Sequence, residues 1–332
     1  MLDLSGEFEA PSRRGARIRT SIWIFPDRPV DELVGAAVAA EDAGMDTFWL
    51  GDEGVARDPF TVLTAVGLAT TSIDLAVAVS NPYLRHPALT ASTAATVAEI
   101  TGRSFHLGFG PGGTASLDPV GLTATNPVPT LRDAMRIARA VLVAEPTEGF
   151  EPGPFARPEQ RVDIWMGARG PALASLAGRE ADGFFAQVTK PFLGSILARA
   201  RAGRSVDVAL CYPLILDEIA LEDIRPYLAL VLLDAPPGTP EAAGMDRSDA
   251  VAAAQALDAG ELEVAAAYIS DEVVNNLAIV GEPVEAAAEF ARLAVEHDVD
   301  EISAAVWGDD LPGAVERAGA VLRTARDLVD GQ

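Results

Sequence analysis

The sequence predicts a closed (β/α)8 (TIM) barrel, and three observations carry that prediction. Short apolar runs alternate with helical segments from near Arg17 to the C-terminus, the pattern of a parallel sheet wrapped in helices. The alternation completes eight units, the number that closes a barrel. The 332 residues fall within the size range of one such barrel with insertions, and no linker composition divides them. Residues 1–332 are therefore read as one domain, with 1–16 as an N-terminal extension.

The first strand is expected over Arg17–Phe25, followed by an Ala-rich helix over Val30–Ala43 that Gly44 stops. A second strand, Thr47–Leu50, ends in the polar turn "GDEGVARD", and a helix follows over Pro59–Thr70. The third strand, Ile73–Val79, enters "SNPYLRHP", where Pro87 opens a helix that runs to Gly102. The fourth, Phe105–Phe109, runs into "GPGGTASLDPVGLTATNPVP", too rich in Gly and Pro to be read as helical. A helix over Thr130–Ala144 comes next. Strands five to seven are expected at Asp163–Met166, Gly183–Ala186 and Asp207–Leu216, and strand eight at Glu301–Val306, with a last helix from near Pro312. Between strand seven and the helix after Pro283 lies an insertion, 217–281, mostly helical. Its segments "DIRPYLALVLLD" and "AVAAAQALDAGELEVAAAYI" read as amphipathic helices capping the barrel.

Composition excludes several classes of function. The net charge of −24 repels nucleic acid and anionic membrane surfaces. No apolar run is long enough to span a bilayer, and the N-terminus lacks a signal-peptide core. The single cysteine, Cys211, permits no internal disulfide and fits a reducing cytoplasm. His86, His106 and His297 are scattered without metal-ligand spacing. A Gly-x-Ser-x-Gly nucleophile turn is missing. Lys190 is the only lysine among 25 basic residues, a bias that either a GC-rich genome or a salt-loving host produces.

Four motifs remain. "GFGPGG" has dinucleotide-fingerprint spacing at Gly108, Gly110 and Gly113. That fingerprint needs a helix to open at once, and Pro111 and the prolines that follow argue for a side-chain-free loop instead, giving a ring system room. In "GARGPALASLAG", Gly170 frees the backbone and Pro171 takes the first helical position, so the helix amides face outward as in a phosphate site. Lys190, on the neighbouring strand-six loop, adds a cation on the same barrel face. An ordinary strand-to-helix turn would look the same at Gly170. In "AVAVSNPYLRHP", Ser80 and Asn81 interrupt a buried run at the catalytic face, while His86 reads as a structural residue at a helix start. In "GDEGVARD", Asp52 and Glu53 stand where barrel enzymes carry catalytic groups, or else as solvated loop carboxylates. Burial would raise the pKa of Glu53, and Arg57, a turn of loop away, is the candidate to oppose it.

Together "AAEDAGMDTFWLGDE", "SNPYLRHPALTASTAATVAEITGRSFHLGFGPGG", "LRDAMRIARAVL", "IWMGARGPALASLAGREADGFF" and "DEVVNNLAIVGEPVEAAAEFARLAVEHDVDEI" resemble the luciferase-like monooxygenase superfamily. The chain is most similar to the branch of methylenetetrahydromethanopterin reductase-like proteins that use the deazaflavin coenzyme F420. The resemblance runs from about Arg17 to Leu328. It implies a non-prolyl cis peptide at Ala78–Val79, in a bulge supporting the cofactor ring, with Ser80 and Asn81 near the ring edge. It implies that Ala168, Arg169, Gly170 and Pro171 hold the cofactor phosphate, with Gln187 and Lys190 contacting it. Gly110 belongs to the side-chain-free turn beside the ring. The chain departs from relatives that place a His after the residue matched by Asp52, where it has Glu53. It also departs from those with an acid after the strand-four turn, where it has Gly113. The expected function is hydride transfer between F420 and a small organic substrate, with Glu53 or Asp52 handling the proton. An FMN-dependent monooxygenase and a catalytically degenerate ligand-binding barrel are the alternatives. A cytoplasmic homodimer with no metal, nucleic-acid or membrane partner is expected.

Overall fold

The computed structural model describes residues 17–159, 161–203, 205–217, 221–222 and 224–331. The expected extension 1–16, and 218–220 and 223 of the insertion, lie outside the described residues.

Eight parallel strands close a barrel. They are β1 (Arg19–Ile24), β2 (Thr47–Leu50), β3 (Asp74–Ser80), β4 (Phe105–Phe109), β5 (Val162–Gly167), β6 (Gly183–Ala186), β7 (Asp207–Ile215) and β9 (Glu301–Ala305). The sheet order β6-β5-β4-β3-β2-β1-β9-β7 is closed by a further β6–β7 pairing. Each strand is nearly all buried because helices cover its outer face. Those helices are α1 (Val30–Asp42), α2 (Pro59–Ala69), α3 (Pro87–Thr101), α5 (Pro127–Val143), α6 (Pro171–Glu180) and α7 (Lys190–Arg201), then Pro283–His297 and Leu311–Asp330. Prolines open most of them, where the missing N–H costs nothing.

Two local expectations are corrected. The Gly/Pro-rich stretch after β4 is not wholly irregular: it contains a one-turn helix, α4 (Thr114–Leu117), and a 3-10 turn over Asp118–Val120. Helix α5 begins at Pro127 rather than Thr130, since a first turn tolerates proline. A two-residue strand, β8 (Ile279–Val280), unanticipated in the sequence, pairs with the end of β7 at Leu214 and Ile215.

The barrel interior is aromatic. Trp49 lies 5.1 Å from Trp165 and 4.7 Å from Phe185, ring centre to ring centre. Toward the N-terminal strand ends a fully buried carboxylate, Glu301, accepts from Trp49 Nε1 at 2.7 Å and Thr47 Oγ1 at 3.4 Å, with Arg19 Nε at 3.6 Å. At the opposite end sits the insertion, as helices Leu228–Leu233, Thr239–Ala242, Arg247–Asp258, Leu262–Ala267 and Asp271–Leu277. It forms its own apolar core over Ile215 and Trp307. Among the described residues, no helix is long and apolar enough to cross a membrane.

Candidate active site

The C-terminal strand ends gather most of the residues singled out in the sequence. At the end of β3 the Ala78–Val79 peptide is cis, and the β3–β4 register shifts between Val77 and Ser80. This is the bulge that the resemblance implied. Two bonds fix it: Trp23 Nε1 donates to Ala78 O at 2.8 Å, and Gly110 N donates to Ser80 O at 2.9 Å. Val79 then projects toward three glycines. A Cβ added at Gly110 would lie 2.4 Å from Val79 Cγ2, one at Gly167 2.5 Å from Val79 Cγ1, and one at Gly108 2.4 Å from Val77 O. No other residue fits these positions without displacing the bulge.

Ser80 and Asn81 are buried behind Val79. Asn81 Oδ1 accepts from the amides of Tyr83 and Leu84, leaving its Nδ2 without a partner, while the Ser80 hydroxyl faces the carboxyl of Asp52. Thr189, after β6, carries a buried hydroxyl with no partner. Orphaned buried polar groups are costly, and these two at the strand ends make this mouth fit a polar-edged ligand. Ser21 is also unpartnered but stands lower in the barrel wall, where Ser303 faces Cys211 and His106 Nδ1 lies 3.6 Å from Asp163.

Burial pushes the carboxyl of Asp52 upward, and nearby Asp58 adds to this, while Ser80 and Arg85 favour ionisation. Glu53 is desolvated more strongly. Burial raises its pKa, the hydroxyl of Ser116 opposes, Asp52 reinforces and Arg169 opposes. Ser116 Oγ donates to Glu53 Oε2 at 3.1 Å. The expected counter-charge, Arg57, turns away to the carbonyls of Asp27 (2.9 Å) and Pro26 (3.4 Å). The guanidinium that faces Glu53 is Arg169 instead.

Around the phosphate-like loop the arrangement is partly as expected. Gly170 is the N-cap and Pro171 the first residue of α6, with the buried Ala168 closing β5 beneath them. Arg169 Nη2 donates to Gln187 Oε1 at 3.0 Å, which joins two of the predicted residues. Lys190 is the first residue of α7, not a loop residue. Its ammonium lies 3.2 Å from Glu289 on Pro283–His297 and 5.8 Å from the Tyr212 ring centre. Burial lowers its pKa while Glu289 opposes. His86 caps α3, its Nδ1 accepting from Ala88 N at 3.2 Å. Among the described residues no group of three or more His, Cys, Asp or Glu side chains could hold a metal.

Sequence reasoning missed Ser116, Thr189 and Asp234. Asp234, from the insertion, accepts from Thr114 N at 2.9 Å and from Thr114 Oγ1, and Pro236 lies over Gly170. A cavity of about 10 Å³ separates Gln187, Val188, Tyr212 and Pro213 from Val231 and Leu277 of the insertion. The insertion thus closes tightly on this side of the mouth.

A parallel barrel with a carboxylate pair and a glycine-lined bulge at its C-terminal strand ends belongs to the class of barrels that carry their chemistry at that face. Residues 8–300 match the luciferase-like monooxygenase family, and the chain belongs to it. The 5,10-methylenetetrahydromethanopterin reductase of Methanolobus tindarius is 30% identical over 291 residues, covering 82% of this chain and 89% of the relative. The solved coenzyme F420 dependent tetrahydromethanopterin reductase of Methanopyrus kandleri superposes with a TM-score of 0.80 at 24% identity, covering 92% of this chain and 98% of that one. An F420-dependent secondary alcohol dehydrogenase in complex with an F420-acetone adduct gives 0.75 at 16% identity, covering 94% and 100%.

Proposed function

We propose that this protein is an oxidoreductase that transfers a hydride between coenzyme F420 and a small organic substrate. The observation that carries the reading is the β3 bulge. There the Asn81 amide N–H is buried without a partner and the Ser80 hydroxyl faces Asp52, on a bulge whose Val79 side chain Gly108, Gly110 and Gly167 leave room for. A ring seated on that bulge would satisfy the Asn81 amide with its polar edge. The family match and the F420-dependent relatives support the same reading.

A deazaflavin bound here supplies the two-electron hydride chemistry. The chain supplies the rest. Ser80 and Asn81 would hold the ring edge on the Ala78–Val79 bulge. The α6 amides behind Gly170 and Pro171, with Ala168 and Arg169, would hold a phosphate, and Gln187 and Lys190 would border it. Lys190, held by Glu289 at 3.2 Å, would turn a further N–H of its ammonium toward that phosphate. Glu53, whose burial favours the neutral form, would hold a proton near the reacting substrate atom, with the likewise raised Asp52 beside it as the other carboxyl of the pair. The insertion would exclude water.

The finer reading is a single-domain cytoplasmic homodimer. Large apolar side chains left exposed on α2 and α3, namely Leu68, Leu89 and Ile100, support the dimer, which sedimentation tests. The decisive experiment is side-by-side titration of the purified protein with F420 and FMN, followed by cofactor fluorescence. Tighter F420 binding is expected; preference for FMN would replace the reading by a flavin-dependent one, and binding of neither would end both.

A further inference from the structure

We propose that Asp234, on the insertion, is a positioning residue for Glu53 and acts on it through α4. The inference rests on the reading of Glu53 as the proton donor and adds a residue 120 positions from the contact it makes. Helix α4 has four residues, one turn, and a single turn does not hold itself together in water. Its N-cap is Gly113, which offers no side-chain acceptor. The acceptor comes from Asp234, whose Oδ2 takes the Thr114 amide at 2.9 Å and whose Oδ1 takes the Thr114 hydroxyl. The bareness of Gly113 is what admits it: a Cβ there would lie 2.9 Å from Asp234 Oδ2.

The other end of α4 meets the β2 loop. Ser116 Oγ donates to Glu53 Oε2 at 3.1 Å. A Cβ on the next residue, Gly54, would lie 2.8 Å from Ser116 O, and Gly54 has a φ of +65°. Glu53 is therefore gripped by a side chain and by backbone apposition, both from α4. Its side chain folds back over Gly51, whose added Cβ would stand 3.2 Å from Glu53 Oε1 and 3.1 Å from Trp23. The charged and titratable groups facing Glu53 are Asp52 on its own loop and Arg169 at the end of β5, with Ser116 the hydroxyl from α4. Arg169 also faces Asp234. Asp234 thus holds the α4 turn in place and stands with Glu53 as one of the two carboxylates whose charge acts on Arg169.

Removing Asp234 has a defined sign. Without its cap α4 loosens, water reaches Glu53, and Arg169 loses a competing carboxylate. Losing the Ser116 bond alone would raise the pKa of Glu53, but desolvation is the larger influence. Its loss, with the freer Arg169, lowers the pKa.

The test uses the full-length protein as Asp234→Ala, Asp234→Asn and Gly113→Ala. Asn caps nearly as well as Asp, so Asp234→Asn should keep hydrogen-exchange protection at residues 114–117. Asp234→Ala should lose about tenfold in that protection, measured without cofactor. Gly113→Ala, whose φ of −100° suits alanine, should copy Asp234→Ala by pushing the carboxylate off, and keeps the test open should Asp234→Ala fail to fold. With F420 bound, Asp234→Ala should lose about tenfold in kcat, hold its cofactor affinity, and move the limb of the pH profile that reports protonated Glu53 to lower pH. Wild-type exchange at 114–117 in both alanine variants, or an unmoved pH limb with kcat intact, overturns the proposal. Failure of the wild type to bind F420 would instead defeat the cofactor reading, and the exchange measurement decides the α4 link without it.

Discussion

Replacing Glu53 by Gln separates an active enzyme from an inert barrel, and the structure sets what each measurement should give. The amide keeps the shape of the side chain and an oxygen able to accept from Ser116, which now donates at 3.1 Å. The structural loss is therefore at most about 0.5–1.5 kcal/mol, one neutral hydrogen bond. What disappears is the transferable proton. Turnover should fall roughly 10²–10⁴-fold, the usual contribution of a positioned acid, while F420 affinity stays within about a factor of three. A second readout comes from linkage. Burial raises the pKa of Glu53 in the folded state, so the folded protein holds this proton more tightly than the unfolded chain. Its contribution to stability is complete below the ordinary carboxylate range and is lost as pH rises through the folded-state value. Glu53→Gln removes that loss, so denaturant midpoints of the variant should gain on wild type with rising pH across this window. Steady-state kinetics, cofactor titration and urea melts at several pH values measure all three. Intact turnover would take Glu53 out of the mechanism, and a parallel loss of binding would make it a cofactor contact.

Lys190→Ala should cost under about 1 kcal/mol of stability, because its pair with Glu289 is partly exposed. It should weaken F420 binding by roughly ten- to a hundredfold if the ammonium reaches the phosphate; unchanged affinity in a fluorescence titration would leave Lys190 to Glu289 alone. Gly110→Ala drives a methyl to 2.4 Å from Val79 Cγ2 and should destabilise by about 1–3 kcal/mol through overpacking, with cofactor affinity falling too. Val79→Ala in the same chain should restore much of both in denaturation and titration, and a lack of coupling would refute the close approach.

The barrel was legible because its information is local. Apolar runs of four to nine residues followed by helical periods mark each unit, and β2, β4 and β6 fall where the runs do. Helix α4 was not legible: one turn carries no period, and its residues Thr, Ala, Ser and Leu, preceded by two glycines, resemble a loop. What stabilises it is Asp234, a residue with no sequence signal connecting it to Thr114. Charge partners were misjudged for the same reason. Arg57 lies four residues from Glu53 yet its side chain serves the carbonyls of the β1 loop, while the charge that acts on Glu53 is that of Arg169, from the end of β5. Lys190 was conspicuous as the only lysine, but rarity says nothing of direction, and burial beside Tyr212 turned it to Glu289. The cis peptide came from the resemblance alone, since neither Ala78 nor Val79 favours that geometry by itself.

The contrast between Glu301 and the half-buried Glu53 explains why chemistry is assigned to one end of the barrel. Glu301 is wholly removed from solvent, yet an indole N–H, a hydroxyl and a guanidinium meet its two oxygens. Those donors occupy both of its oxygens, and removing one would leave a buried polar atom unpartnered. It therefore binds β9 to β1 and β2 at the N-terminal strand ends, where barrel residues serve stability. Glu53 lacks that provision. One hydroxyl donates to it, a like charge stands beside it on Asp52, and its nearest guanidinium is shared with Asp234. Its environment pushes its pKa above the ordinary carboxylate value, chiefly by burial, which is the direction a proton-donating carboxyl needs. The same contrast holds for the uncharged groups. Asn81 spends its oxygen on the Tyr83 and Leu84 amides and keeps its N–H free at the mouth, so the fold has fixed the donor's position and left its partner to the ligand.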